Sequence, residues 1–405
     1  MGIVHIDKIR PDAVLAEELR DINGRLLLAK GQKIRRKHVR ILKIWGITEV
    51  DIVGEDGGET AGDDAGLAGI EEIEERTRGY FRHVDLSHPA IAELFRLSVS
   101  HQRGGKRAEP FRLPDQIEEN GAGQTEIDVR DKINVHSMKL PEIPAIVFEL
   151  NDAISDPSSS AANVAQVVSK SPSLSARLLQ IANSSFYGFP SKIDSISRAV
   201  TLIGNREISS LALGVSALTI FQDISKNLID MRQILKHSFA CGIISRIFAA
   251  QKNIPQTEQL FVSGLLHDIG RLVVYRYFPG HAKRLWTRSA ESGKLLYHEE
   301  PACLGCRHTD IGKFLLRKWK LPPALENNVA YHHRPSMAPN PVHAGIVHVS
   351  DILVNGMGIG TSGEQYVPPL DEKVWDDLGI SPKSFDMTIR QALHQLYALE
   401  KILKD

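Results

Sequence analysis

The chain has 405 residues, 42% of them hydrophobic, with 49 Lys plus Arg balanced by 49 Asp plus Glu. That balance removes any global argument for a nucleic-acid or anionic-membrane partner, and three cysteines are too few for a disulfide framework, which fits a reducing cytosol. No apolar run approaches the roughly 18 residues needed to span a bilayer, and the opening Met1-Gly2-Ile3-Val4-His5-Ile6-Asp7-Lys8 lacks a signal-peptide pattern, so a cytoplasmic protein of two or three domains is expected.

Residues 1–54 read as a small α/β unit. Asn23-Gly24 between strand-like runs is a hairpin signal. Lys33 to Trp45 has helical spacing of Ile34, Val39, Ile41, Leu42 and Trp45, with Gly46 as its stop. Ile47 to Val53 alternates like a strand. The basic cluster Arg35, Arg36, Lys37, Arg40 and Lys43 reads as a solvated helix face, being short and without interleaved aromatics.

Residues 55–131 read as linkers flanking a helical connector. Gly54 to Gly69 is rich in glycine and acids and buries too little to order itself. Two helices follow, Ile70 to Arg82 and Pro89 to Gln102. Glycines, prolines and charges return from Arg103 to Asp131. From residue 132 to the end the pattern is helix after helix: 146–154, stopped by Asp156-Pro157-Ser158; 162–169; 174–183; 196–203; 208–221; 228–251; and an apolar helix running into Leu260–Gly270. Alternating runs are missing, so residues 132–405 are expected to form an all-α domain. At the C-terminus, Ile389, Leu393, Leu396, Leu399 and Leu403 share one face of a helix from Phe385. This stripe serves a dimer or packing back onto the domain equally well, being under three heptads long.

Some polar residues do not belong in such a core. His267-Asp268 closes an apolar helix that Gly270 is placed to stop. Both groups are costly to bury alone; they suit a divalent cation or an ion pair that satisfies itself. His237 lies in the helix before them, and Asp351 sits in the apolar run Ile346–Leu353. Four such groups on three helices can surround one ion, as facing ligands do in helical bundles. His308 and the pair His332-His333 are further imidazoles. Cys303-Leu304-Gly305-Cys306 followed by His308 is a thiolate–imidazole pattern, but without a second cysteine pair the cysteines read as incidental. Cys241, on an apolar helix, does so too.

A helix His, then His-Asp, then a late Asp resembles the HD superfamily of metal-dependent phosphohydrolases. More specifically, residues 132–405 resemble an HDOD domain, the HD-related output domain of bacterial signalling proteins. The stretches that carry it are Leu140-Pro141 with Ile143-Pro144, Leu178–Ser184, Ile196 with Ala199-Val200 and Leu202-Ile203-Gly204, Lys236-His237-Ser238, Gly264–Gly270, Trp319 with Leu321-Pro322, and His332-His333-Arg334-Pro335. Residues 1–54 resemble the small unit ahead of HD-GYP domains. The chain departs from the HDOD pattern at Ser171-Pro172, where relatives often carry Asp-Pro.

The resemblance implies a mainly α protein acting as a regulatory or protein-interaction output module. It implies a divalent metal (Fe, Mn, Mg or Zn) on His237, His267, Asp268 and Asp351, with His308, His332 and His333 for a second ion or for substrate. Arg271 is a phosphate-binding candidate, set against an ordinary ion pair at a helix end. The alternative is a metal-dependent phosphohydrolase acting on a nucleotide or other phosphoester. Cyclic-dinucleotide hydrolysis of the HD-GYP kind is disfavoured, because Arg334-Pro335-Ser336-Met337-Ala338-Pro339 replaces the Gly-Tyr-Pro signature. A signalling-protein partner is expected, with a homodimer possible and a nucleic-acid or membrane partner not expected.

Overall fold

The structure, a computed structural model, describes residues 2–5, 9, 13–20, 26–35, 38–39, 42, 49–53, 63–103, 144–155, 159–221, 223–225, 228–255 and 257–403. Four short strands lie in the N-terminal unit. β1 (Gly2–His5) pairs antiparallel with β4 (Glu49–Ile52), Val4 opposite Val50. β2 (Leu19–Arg20) pairs with β3 (Leu26–Leu28). Leu15, Leu28, Ile34, Leu42, Val50 and Ile52 form a separate small core. The hairpin pairing and the last strand agree with the sequence pattern; β1 has no alternation long enough to announce it. The Asn23-Gly24 turn lies outside the described residues. So do most of the expected 33–45 helix, of which His38, Val39 and Leu42 are helical, and Arg36, Lys37, Arg40 and Lys43 of the basic cluster.

Helix α1 (Asp63–Tyr80) starts inside the stretch read as a linker. Ala65, Leu67 and Ala68 are good helix formers and outweigh the local glycines. α1 and α2 (Pro89–Arg103) share one core with the helices that follow: Phe81, Ile91 and Leu94 are buried in it, and the Val367 N–H donates to the Tyr80 carbonyl at 2.9 Å. The second linker, the Leu140–Ile143 stretch and the Asp156–Ser158 stop lie outside the described residues.

Then come α3 (Ala145–Ser155), α4 (Ala161–Ser169), α5 (Pro172–Ala182), α6 (Ile196–Ile203), α7 (Asn205–Thr219), α8 (Met231–Gln251), α9 (Thr257–Leu266), α10 (Ile269–Tyr277), α11 (Pro279–Ser292), α12 (Leu296–Leu304), α13 (His308–Lys318), α14 (Pro323–Tyr331), α15 (Pro341–Met357), α16 (Glu372–Leu378) and α17 (Phe385–Leu403). Side-chain caps set their starts: Ser160, Ser171, Ser195, Asp230 and Asn340 each accept a first-turn N–H. Ser171 accepts from the Leu174 N–H, which accounts for its place here, since Ser and Asp are near-equal caps. The apolar side of α17 is used within the chain: Phe385, Ile389, Leu396 and Leu399 are buried, and the Gln251 amide of α8 donates to Thr388 Oγ1 at 3.3 Å.

α9 is the centre of the domain, with Leu260, Phe261, Val262, Leu265 and Leu266 all at 1% exposure or less. It does not end at Gly270, as the sequence suggests. It breaks at His267-Asp268, and Gly270 sits in the first turn of α10. The reason is packing. A Cβ on Gly270 would overlap the His308 carbonyl oxygen and stand 2.8 Å from its carbon and 2.9 Å from the Gly312 nitrogen. This glycine lets the backbones of α10 and α13 touch.

Candidate metal centre

The break between α9 and α10 turns His267 and Asp268 toward neighbouring helices. His237, on α8, and Asp351, on α15, reach the same point. His237 Nε2 lies 3.2 Å from His267 Nε2 and 3.2 Å from Asp351 Oδ1. His267 Nε2 lies 3.4 Å from Asp351 Oδ1 and 3.3 Å from Asp268 Oδ2. On the other side, Asp268 Oδ1 is 3.0 Å from His308 Nε2 and 3.9 Å from His332 Nε2, with 3.4 Å between the two imidazoles. Asp268 thus divides its oxygens between two donor groups. The ring of the half-buried His333 is 4.1 Å from that of His332 and 4.4 Å from that of Tyr297, and its Nε2 has no hydrogen-bond partner. His237, His267, His308 and His332 are fully buried, and Asp268 and Asp351 are 5% and 4% exposed.

The proton positions decide what this cluster can hold. His267 Nδ1 donates to the Gly264 carbonyl at 2.7 Å and His332 Nδ1 to the Val329 carbonyl at 2.8 Å. His308 Nδ1 donates to Glu300 at 2.7 Å. A carbonyl can only accept, so each neutral ring turns an Nε2 lone pair inward. There the lone pairs of His308 and His332 meet at 3.4 Å and that of His308 meets Asp268 Oδ1 at 3.0 Å, while His267 faces His237, whose Nδ1 has no partner, at 3.2 Å. Asp268 Oδ1 accordingly has no hydrogen-bond partner. Converging lone pairs in a buried site repel unless a cation lies between them. The donor set therefore fits divalent metal, with Glu300 orienting His308 in the carboxylate–histidine manner of metal sites.

Electrostatics agree. Burial disfavours the charged form of His267, but Asp268 and Asp351 outweigh it and lift its pKa to about 10. His308 is raised as well: burial is overcome by Glu300 and Asp268. Burial and the neighbouring imidazoles hold His332 and His333 well below the usual range. Burial would raise the carboxyls of Asp268 and Asp351, yet Arg271 and the histidines hold Asp268 well below, and His237 and His267 do the same for Asp351. The carboxylates thus favour positive charge at the centre, which a divalent cation would supply.

Arg271 is fully enclosed. Its guanidinium donates to Ser362 Oγ at 2.8 Å and lies 3.4 Å from Asp268, 3.6 Å from Glu300 and 3.7 Å from Glu364. Glu364 is pushed up to about 7 by burial, which outweighs Arg271 and three backbone N–H donors. Cys303 and Cys306 form no disulfide, and His308 is held by Glu300 and Asp268. One participant, Glu300, went unread in the sequence: it carries no local signal, because its partner is eight residues away across a turn. Cys241, which the sequence left as incidental, follows His237 by four, on the same helix face.

Helices enclosing a His, His-Asp and Asp constellation define an HD-type helical domain. Residues 140–335 match the HDOD domain family, and the chain carries an HDOD domain there. The fold is similar to an HDOD domain protein with unknown function from Geobacter sulfurreducens (21% identical, covering 68% of this chain and 92% of that one, TM-score 0.54). It is also similar to a candidate phosphohydrolase from Shewanella amazonensis SB2B (21%, 69% and 100%, 0.55) and a candidate signal transduction protein from Marinobacter aquaeolei VT8 (21%, 80% and 69%, 0.53). An uncharacterized protein of Treponema pallidum (strain Nichols) is 24% identical over 249 residues, 61% of this chain. The chain spans about half the length of that relative, 47%. No helix among the described residues is long and apolar enough to cross a membrane.

Proposed function

We propose that this is a regulatory HDOD output module of a bacterial signalling system, acting on a protein partner and built around a divalent-metal centre. The carrying observation is the convergence of Nε2 and carboxylate lone pairs from α8, the α9–α10 break, α13, α14 and α15, with Asp268 common to both donor groups. His237, His267, Asp268 and Asp351 would hold one ion, and Asp268, His308, His332 and His333 a second. Their burial supports a role in tying helices together, since a closed site leaves little room for a substrate. Arg271 acts as a positioning residue that neutralises and steers Asp268.

A second reading, a metal-dependent phosphohydrolase, is favoured by the shared carboxylate, which suits the paired ions of phosphatases. Bound metal would supply Lewis acidity toward a phosphoester; Asp268 would set the spacing of the pair and Glu300 would keep His308 in its ligating tautomer. Elemental analysis of the purified protein tests the metal: wild type should carry ions that Asp268→Ala loses, and a metal-free wild type would sink both readings. Hydrolysis of a phosphoester panel separates them. Equal rates for wild type and Asp268→Ala leave the regulatory module, and a loss confined to the variant establishes the enzyme.

A further inference from the structure

The first donor group contains an atom that neither the family pattern nor the mechanism above uses. Cys241 is fully buried one helical turn after His237, and its Sγ lies 3.7 Å from His237 Nε2. The donor atoms of His237, Cys241, His267 and Asp351 all lie within 4.8 Å of one another. We propose that Cys241 is a thiolate ligand of the first ion, completing a two-histidine, one-carboxylate, one-thiolate set that selects zinc or ferrous iron over magnesium. This rests on the metal reading above and narrows it.

Three features carry it. The first is edge length. A tetrahedral ion with bonds of about 2.05 Å to nitrogen or oxygen and 2.3 Å to sulfur puts its donors about 3.4 Å apart, or about 3.6 Å where one is sulfur. The edges here are 3.2 Å for His237–His267, 3.2 Å for His237–Asp351, 3.4 Å for His267–Asp351 and 3.7 Å for His237–Cys241. Sulfur's edge is the long one, as its larger radius requires.

The second is the competitor for that corner. Asp268 Oδ2 stands 3.9 Å from His237 Nε2, farther than the sulfur although oxygen forms shorter bonds. Asp268 Oδ2 sits on the His267 side, at 3.3 Å, and Oδ1 leans on His308, at 3.0 Å. It bridges from the side and leaves Cys241 the fourth corner.

The third is how the fold fixes the thiol. α8 and α9 cross backbone to backbone beside it. A Cβ on Gly264 would lie 2.7 Å from the Cys241 carbonyl oxygen and 2.8 Å from the Gly242 nitrogen, and a Cβ on Gly242 would lie 2.7 Å from the Phe261 carbonyl oxygen. Two glycines thus bring Cys241 to the end of α9, where His267 begins. With neutral imidazoles, Asp268, Asp351 and a thiolate carry three negative charges against four on two divalent ions, one nearer to balance than without the thiolate. Soft thiolate favours zinc and ferrous iron, whereas magnesium prefers oxygen. Burial and the nearby carboxylates keep the metal-free thiol protonated, so loading releases its proton.

The test is cobalt(II) substitution of the full-length protein, read by absorption, with Cys241→Ser as the variant. Wild type should show visible d–d bands and a near-ultraviolet thiolate-to-cobalt band; Cys241→Ser should keep the d–d bands and lose the near-ultraviolet one. Zinc-over-magnesium preference should fall by roughly tenfold or more, the scale on which losing even an outer partner weakens a metal site. A near-ultraviolet band of equal intensity in both proteins would assign it to Cys303 or Cys306 and overturn the proposal. Visible bands with no thiolate band in wild type overturn it while leaving the metal reading intact. Absence of all cobalt bands from folded wild type, checked by circular dichroism, overturns both. A Cys241→Ala variant, which packs more simply, guards against a serine-specific folding defect.

Discussion

The two halves of the metal centre are built differently. The first group draws on the interiors of long buried helices, His237 on α8 and Asp351 on α15, with His267 at the end of α9. The second draws on helix ends: His308 is the first residue of α13, and His332 caps α14. The first group is rich in charge, and its carboxylates lift His267 to about 10. The second holds two imidazoles well below their ordinary range and takes its negative charge from the shared Asp268 and from Glu300, behind His308. Helix interiors hold their side chains through the core itself. Helix ends need fixed neighbours, and here these are the Gly270 contact, the Glu300 carboxylate and His348, whose Nδ1 donates to the His332 carbonyl at 2.7 Å. The second group should therefore be the more easily broken.

The largest effect should come from Gly270→Ala. The added methyl has no room against the His308 carbonyl, so α10 and α13 must separate, at about 3 kcal/mol or more. Denaturant unfolding measures this, and an unchanged midpoint would contradict the backbone contact. Any folded Gly270→Ala protein should keep the first ion and lose the second.

Glu300→Gln is a gentler way to separate the groups. It removes the charge that orients His308 while keeping the shape. Affinity for one ion should fall about 10- to 100-fold, leaving the other unchanged. A two-phase metal titration of the variant reads this directly; equal weakening of both phases would mean that the groups act as one unit.

The smallest effect concerns the charge behind the shared Asp268. Glu364 has a folded pKa of about 7, above its ordinary 4.5. Its contribution to stability is fully present below about 4.5 and is lost as pH rises through about 7. In chelator, wild type should thus lose about 2 kcal/mol relative to Glu364→Gln between pH 5 and pH 8. Parallel pH profiles for the two proteins would show that Glu364 is already ionised in the folded state.

The helical period marked the elements of the main domain well. The 196–203 and 385–403 helices agree with their spacing to the residue, because an amphipathic stripe and a cap are local properties. Weakly patterned pieces were not legible. β1 is four residues long, and its partner lies more than forty residues away. α1 begins in a glycine- and acid-rich stretch where propensity and composition disagree.

At the site, groups costly to bury drew attention to His237, His267, Asp268 and Asp351, and the family resemblance added His308, His332 and His333. Their division into two groups was not legible, nor was the bridging place of Asp268, the enclosure of Arg271 or the partnership of His308 with Glu300. Each depends on where α10, α12, α13 and α14 meet in space. Gly270 shows the difference most plainly. In the sequence a glycine after an apolar helix reads as a stop; in the fold it is the gap through which a second helix approaches, and only the position of that second backbone could tell the two apart.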